Sequence, residues 1–287
     1  SSAVCRPRPI ARSSARRAGA AAMAVVAGAG RAATFGSQSA TKGEGKDAGM
    51  GVSQPVIEVT DLVKDYRGLR PLRMQRLTLH AGDSVAVLGM DEPSAEMMTT
   101  LLTGAVAPDR GAISVLGTVT ADLKDTDEWL QLVERIGLVS DRAALLEMFT
   151  VIQNLALPFT LDVDPVAADV RSRASALATE VGLPDTTWDQ PVASLDGAFK
   201  TRVRLGRALS LDPSVLVLEH PTAVVEREAV KTLAGDIRTV AARRALTTLT
   251  LTADAEFANA VGARVLHWDA AHGTLQERRR GWWPFRT

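Results

Sequence analysis

Residues Ser84 to Gly104 read SVAVLGMDEPSAEMMTTLLTG, and no other segment of the chain narrows its fold so far. An apolar run, Val85-Ala86-Val87-Leu88, leads to a glycine at Gly89, a polar turn, and then good helix formers up to the next glycine. This order predicts a buried strand, a tight loop and a helix, the plan of a phosphate-binding loop. The working pattern is G-x-x-x-x-G-K-[ST]: glycines let backbone N–H groups close on phosphate oxygens, the lysine neutralises them, and the hydroxyl holds magnesium. Gly89 fits the first position. Ser94 stands at the second glycine, Ala95 at the lysine and Glu96 at the hydroxyl, with Met97 after it. The plan is present and its ligands are replaced.

The chain has 287 residues, enough for a sizeable core in one large domain or two small ones. Lys+Arg and Asp+Glu both number 33, so no global charge points to nucleic acid as a partner. A single cysteine, Cys5, cannot close an intramolecular disulfide. No apolar run approaches the roughly 20 residues that cross a bilayer; Ala18 to Gly30 is too short and too rich in alanine and glycine. Work at a membrane would then need a partner that holds the chain there. Residues 1–49 are rich in Ala, Gly, Ser and Arg with no acidic residue before Glu44, which predicts a disordered leader, cleaved or tag-like, or an organellar targeting segment. At the other end, residues 276–287 form a basic, aromatic tail ending in RRRGWWPFRT, either solvated or a docking element.

Between them strands and helices alternate. VIEVTDLVKDY and Met74 to Leu79 read as strands, Pro108 to Gly111 as a turn, and AISVLG as a further strand. Trp129 to Arg135 reads as a helix, IGLVS (136–140) as a buried strand, and Val166 to Val181 as a helix stopped by Gly182-Leu183-Pro184. A helix from about Gly197 to Leu211 precedes the apolar strand VLVLEHP, then a helix over Glu226 to Arg243 and the strands LTTLTLT and ARVLHWD. Continuous apolar strands alternating with helices predict an α/β fold with a mostly parallel, covered sheet.

From about Pro55 to Leu275 these segments, in this order, resemble the ATP-binding cassette domain of ABC transporters. VLG with LLTG downstream, GAISVLG, IGLVS, TVIQNLALP, LDGAFKTRVRLGRALSLDPSVLVLEHPTA and GARVLHWD carry the resemblance, and TVIQNLALP is similar to the lipoprotein-release and macrolide-export branch. The resemblance implies a P-loop NTPase fold of the cassette type over residues 50–275, with an antiparallel β part and a helical subdomain at about 142–200. It also implies head-to-tail dimers, in which each ATP lies between one chain's phosphate loop and the other's signature, docked on a membrane permease at the cytoplasmic face of the membrane.

Set on that pattern, the sites for ATP and magnesium are substituted throughout. Asp141 stands where the family keeps a glutamine that senses phosphate and metal. The signature, L-S-G-G-Q elsewhere, reads Leu195-Asp196-Gly197-Ala198-Phe199. The acidic strand, which should end in aspartate and then a catalytic glutamate, ends in Glu219 and His220, and the switch histidine is Ala253. Tyr66 alone is retained, where the family stacks an aromatic ring on adenine. Asp91, Glu92 and Glu96 put carboxylates where triphosphate charge would lie, each costing about 3 kcal/mol at 5 Å and an effective dielectric near 20. Glu96 could instead ligate magnesium. Asp196 suits a helix N-cap, and His220 could act as a base but reads as structural, because Ala95 and Ala253 remove two of the partners a base would need. No metal site is in evident register.

The expected function is therefore a pseudo-ATPase, a cassette kept for its shape that docks on a permease or a second cassette. Its alternatives are an ATP-hydrolysing transport subunit using Glu96, Glu219 and His220, and a soluble interaction scaffold outside transport.

Overall fold

The structure, a computed structural model, describes residues 54–66, 68–262 and 264–277. The leader expected over 1–49 and the tail from Arg278 onward lie outside these residues.

Alternation of buried and exposed residues, broken once in each of the two long strands, shapes the first sheet. In β1 (Ile57–Lys64) Ile57, Val59 and Leu62 are buried while Glu58 and Asp61 are exposed. β2 (Leu72–Leu79), two residues longer than its apolar text suggested, buries Leu72, Met74, Leu77 and Leu79. These strands pair with β4 (Arg110–Val115) and the short β5 (Thr118–Val119) in an antiparallel sheet of order β2-β1-β4-β5. One covered face per strand is what a two-residue period produces. The β1–β4 register shifts between Thr60 and Val63, where Asp61 takes a φ of 46°. Gly111 lies against this bulge, and a Cβ there would overlap the Thr60 and Asp61 carbonyls. Only glycine lets the two backbones approach so closely.

The second sheet holds β3 (Ser84–Leu88), β6 (Ile136–Ser140), β7 (Val215–Glu219), β8 (Thr247–Thr252), β9 (Arg264–Asp269) and β10 (Thr274–Glu277) in the order β10-β9-β3-β8-β7-β6. It is parallel from β9 to β6, and β10 joins antiparallel at the edge. Every residue of β7 and β8 is buried, as in a sheet covered on both faces. The α/β architecture with a mostly parallel sheet and an antiparallel part is thus the one expected.

Helix α1 (Glu92–Leu102) packs between the sheets. Its Met98, Leu101 and Leu102 share one core with Ile57, Met74 and Ile113 of the first sheet and Val87, Val217 and Leu251 of the second. Helix α2 (Thr126–Val133) starts three residues earlier than its apolar residues indicated, because Asp125 caps it by accepting from the Asp127 and Glu128 N–H groups. A second core joins α3 (Val151–Ala156), α4 (Ala168–Glu180), α5 (Gly197–Leu209) and α6 (Arg227–Arg243) to β7. Helix α5 stops two residues short of Leu211. The short α7 (Ala255–Val261), capped by Asp254, was not anticipated, since seven residues show too little periodicity.

An ion pair ties the end of α4 to the residue following α6: Arg244 donates from Nε and Nη2 to Glu180 at 2.7 and 2.6 Å. Those hydrogen bonds hold the Glu180 carboxyl below the usual range, outweighing its partial burial. A depressed folded value means that the contribution is present above the unfolded value near 4.3 and disappears as pH falls through the folded one. Glu180→Gln is expected to lower the melting temperature at pH 7, and the gap from the native chain should close below about pH 4. A gap that persists unchanged at acid pH would mean that the carboxylate charge does not matter.

Candidate functional site

The loop after β3 is organised by the chain's own groups. Gly89 takes a φ of 99°, donates its N–H to the Thr252 carbonyl at 2.9 Å, and turns the backbone toward α1. Asp91 is the N-cap of α1, its Oδ1 accepting from the Ser94 N–H at 3.0 Å, and Pro93 occupies the first turn, where its missing N–H costs nothing. Helix N-termini favour anions. Here the anion is a side chain.

Behind this cap the loop is closed. Ala95 is fully buried, Ser94 nearly so, and the Tyr66 hydroxyl lies 3.0 Å from Ser94 Oγ while its ring packs against the first core. Tyr66 and Ser94 are thus brought together through their hydroxyls. Met97 lines the core on the same turn. Glu96 points outward, about half exposed.

Glu96 meets residues that arrive from two other strands. Arg142, just after β6, donates from Nη1 to Glu96 Oε1 at 3.0 Å and from Nε and Nη2 to the two Glu219 oxygens at 2.7 Å each. Ser140 Oγ donates to Glu219 Oε1 at 3.1 Å and accepts from the Arg142 N–H at 3.2 Å. Glu219 is 1% exposed and Arg142 36%. The Glu219 hydrogen bonds raise the Arg142 pKa, and the Glu96 and Asp141 charges add to this. Asp141 contributes its carbonyl to Arg204 at 3.1 Å, and Arg204 and Arg207 also take the Ala143 and Ala144 carbonyls, pinning the loop to α5.

His220 follows Glu219 with a φ of 41°, a conformation rare for non-glycine residues, and its N–H bonds the Leu251 carbonyl at 3.0 Å. Its Nε2 is buried with no hydrogen-bond partner among the described residues. Ala253 is exposed beyond β8 and brings no polar group near it.

The signature segment opens α5. Asp196 caps the helix, accepting from the Phe199 N–H at 2.8 Å, as its residue type suggested. Leu195 and Ala198 are buried, and the Phe199 ring packs on the second core with the Arg202 guanidinium 5.6 Å from its centroid. Gly197 touches the segment after His220: a Cβ there would overlap the Val224 carbonyl. Thr201 Oγ1 donates to the Pro221 carbonyl at 3.2 Å, beside that contact. Gly197→Ala is expected to lower stability by about 2 kcal/mol, the overpacking range, with Gly235→Ala as control because nothing lies within 4 Å of a Cβ there. Equal melting temperatures for the two variants would show that the segment yields freely.

Sequence reading found Glu219 and Glu96 but missed Arg142 and Ser140. Arg142 reaches partners 77 and 46 residues away in the chain, and no local spacing marks such a contact. Its adjacency to Asp141 was the one available signal.

The family model described as "ABC transporter" matches residues 73–223. The methionine import ATP-binding protein MetN of Brucella abortus is 28% identical over 233 residues, covering 81% of this chain and 62% of its own length. The lipoprotein-releasing system ATP-binding protein LolD of Alcanivorax borkumensis is 30% identical over 177 residues, covering 60% of this chain and 77% of its own. The chain therefore spans less than two thirds of the methionine import relative. A lipoprotein-release relative of the kind that TVIQNLALP suggested stands beside it. Among solved structures, the post-hydrolysis dimer of the ATP-binding cassette MJ0796 bound to ADP and Pi superposes with a TM-score of 0.63 at 20% identity, over 79% of this chain and all of that one. CbiO1 from Clostridium perfringens gives 0.65 at 20% identity, over 77% and 87%. At such identities the likeness is one of fold.

Proposed function

Because the chain belongs to the ABC transporter family as an ATP-binding cassette, we propose that it is a degenerate member, a pseudo-ATPase that docks on a membrane permease or a second cassette and hydrolyses little or no ATP. One observation carries this reading. Both helix N-termini at which the family places phosphate, that of α1 and that of α5, are capped by aspartates of the chain itself, Asp91 and Asp196. A phosphate arriving at either would meet a carboxylate already bonded to the N–H it needs. The remaining donors do not fit a magnesium–triphosphate complex, since Ala95 offers no charge and both Glu96 and Glu219 are engaged by Arg142.

Docking is supported by the segment between β6 and α3, where Met148 is 85% exposed and Leu146 stands out two residues before it. Among the described residues no helix is long and apolar enough to cross a membrane. A permease partner would place the chain on the inner face of the cell membrane.

A second reading, an ATP-hydrolysing subunit with divergent motifs, is favoured by His220, whose strained backbone and unpartnered buried Nε2 stand next to Glu219. Titration of a fluorescent ATP analogue into the full chain, with and without magnesium, separates the two. No saturable binding below millimolar concentration is expected. Micromolar binding lost in Tyr66→Ala would overturn the pseudo-ATPase, and phosphate release abolished by His220→Ala would establish the enzyme. Co-purification with a membrane permease tests the docking role, and a chain recovered only alone would favour the soluble scaffold.

A further inference from the structure

We propose that Arg142 is the chain's own replacement for a divalent cation: a tethered guanidinium that fills the metal position between α1, β6 and β7 and keeps the site assembled with no metal bound. This rests on the reading above and extends it from the anion positions to the cation position. Glu96 from the second turn of α1 and Glu219 from the end of β7 both bond the Arg142 guanidinium, and the Ser140 hydroxyl from the end of β6 bonds Glu219 beside it. Two carboxylates and a hydroxyl are hard oxygen donors of the kind that take magnesium or manganese. The positive charge between the two carboxylates is supplied from within the chain.

The geometry suits a guanidinium better than an ammonium. Nε and Nη2 fork onto both oxygens of Glu219 while Nη1 turns outward to Glu96, so one planar, delocalised charge spans carboxylates from two elements. Glu219 is buried and has no solvent to screen it, whereas Arg142 enters from the rim, with a third of its side chain exposed. The Arg142 N–H bond to Ser140 Oγ fixes the base of the side chain beside the carboxylate it serves. Because the cation is covalently attached, it cannot be diluted or chelated away. A metal ion must displace it, and with it both arms of the fork.

The test uses the full chain and no nucleotide. Thermal unfolding and Mn2+ electron paramagnetic resonance are followed in metal-free buffer and in millimolar MnCl2. The native chain is expected to bind no Mn2+ and to melt at the same temperature in both. Arg142→Gln, which leaves the oxygen donors without their cation, is expected to melt several degrees lower without metal, to bind Mn2+, and to recover most of the loss when it does. Tight Mn2+ binding by the native chain overturns the proposal, as does a folded Arg142→Gln that ignores Mn2+. Should that variant not fold in metal-free buffer, Arg142→Lys decides instead: its single-point charge keeps the balance but cannot fork across both carboxylates. Millimolar Mn2+ is then expected to displace the lysine and raise the melting temperature, and no rise overturns the proposal. ATP binding by the native chain would sink the pseudo-ATPase and leave this result untouched.

Discussion

Ala95→Lys is expected to cost about 3 kcal/mol of stability and to restore no ATP hydrolysis, although it returns the residue that a working phosphate loop requires. The position is fully buried in the first turn of α1, packed into the core shared by the two sheets. A lysine there adds three methylenes and a charge beyond the alanine Cβ. Overpacking alone costs about 1–3 kcal/mol, and the ammonium must also reach water from a fully buried position. On the proposed reading no phosphate waits for it, and Asp91 already holds the Ser94 N–H. Urea unfolding and a phosphate-release assay on the same preparation read both halves. Phosphate release above that of the native chain would show that a single residue separates this chain from an active cassette, and unchanged stability would show that the helix start is looser than its packing implies.

The contrast between what the sequence discloses and what it hides follows from the range of each interaction. β3, the turn at Gly89 and α1 were legible because a strand, a glycine and a helix are written in neighbouring residues. β7 and β8 were legible because buried parallel strands leave continuous apolar text. Asp196 as a cap was legible for the same local reason, the carboxylate bonding an N–H three residues on. Asp91 makes the same bond to Ser94, yet it was weighed only as a charge against phosphate, so its structural role went unseen. Arg142 belongs to another class. Its partners lie on other elements, and only the parallel pairing of β6 with β7, Ser140 beside Glu219, sets it at the carboxylate. Substituted positions taken one at a time indicate lost ligands. Together in space, Asp91 and Asp196 carry the sign of a phosphate and Arg142 the sign of a metal ion, which is the pattern the proposed reading rests on.

If that replacement is structural, the two halves of the Arg142–Glu219 pair should differ in cost, and in the less intuitive direction. Arg142→Ala is expected to lose about 3 kcal/mol in metal-free buffer, whereas Glu219→Gln loses about 1 kcal/mol. Removing the more exposed partner is the worse change because Glu219 is 1% exposed and keeps, among the described residues, only the Ser140 hydroxyl as a donor. An almost unpaired carboxylate in a dry site bears its desolvation cost without a compensating charge. Removing the buried charge instead leaves an arginine that is already 36% exposed, still bonded to Glu96, and free to turn toward water. Glutamine keeps the volume and one acceptor for Arg142 and Ser140, so no cavity confuses the comparison. Denaturant unfolding of both variants at pH 7 measures the difference. Equal costs for the two, or the reverse order, would place Arg142 among ordinary surface ion pairs worth about 0–1 kcal/mol, and Glu219 would then owe its burial to packing alone.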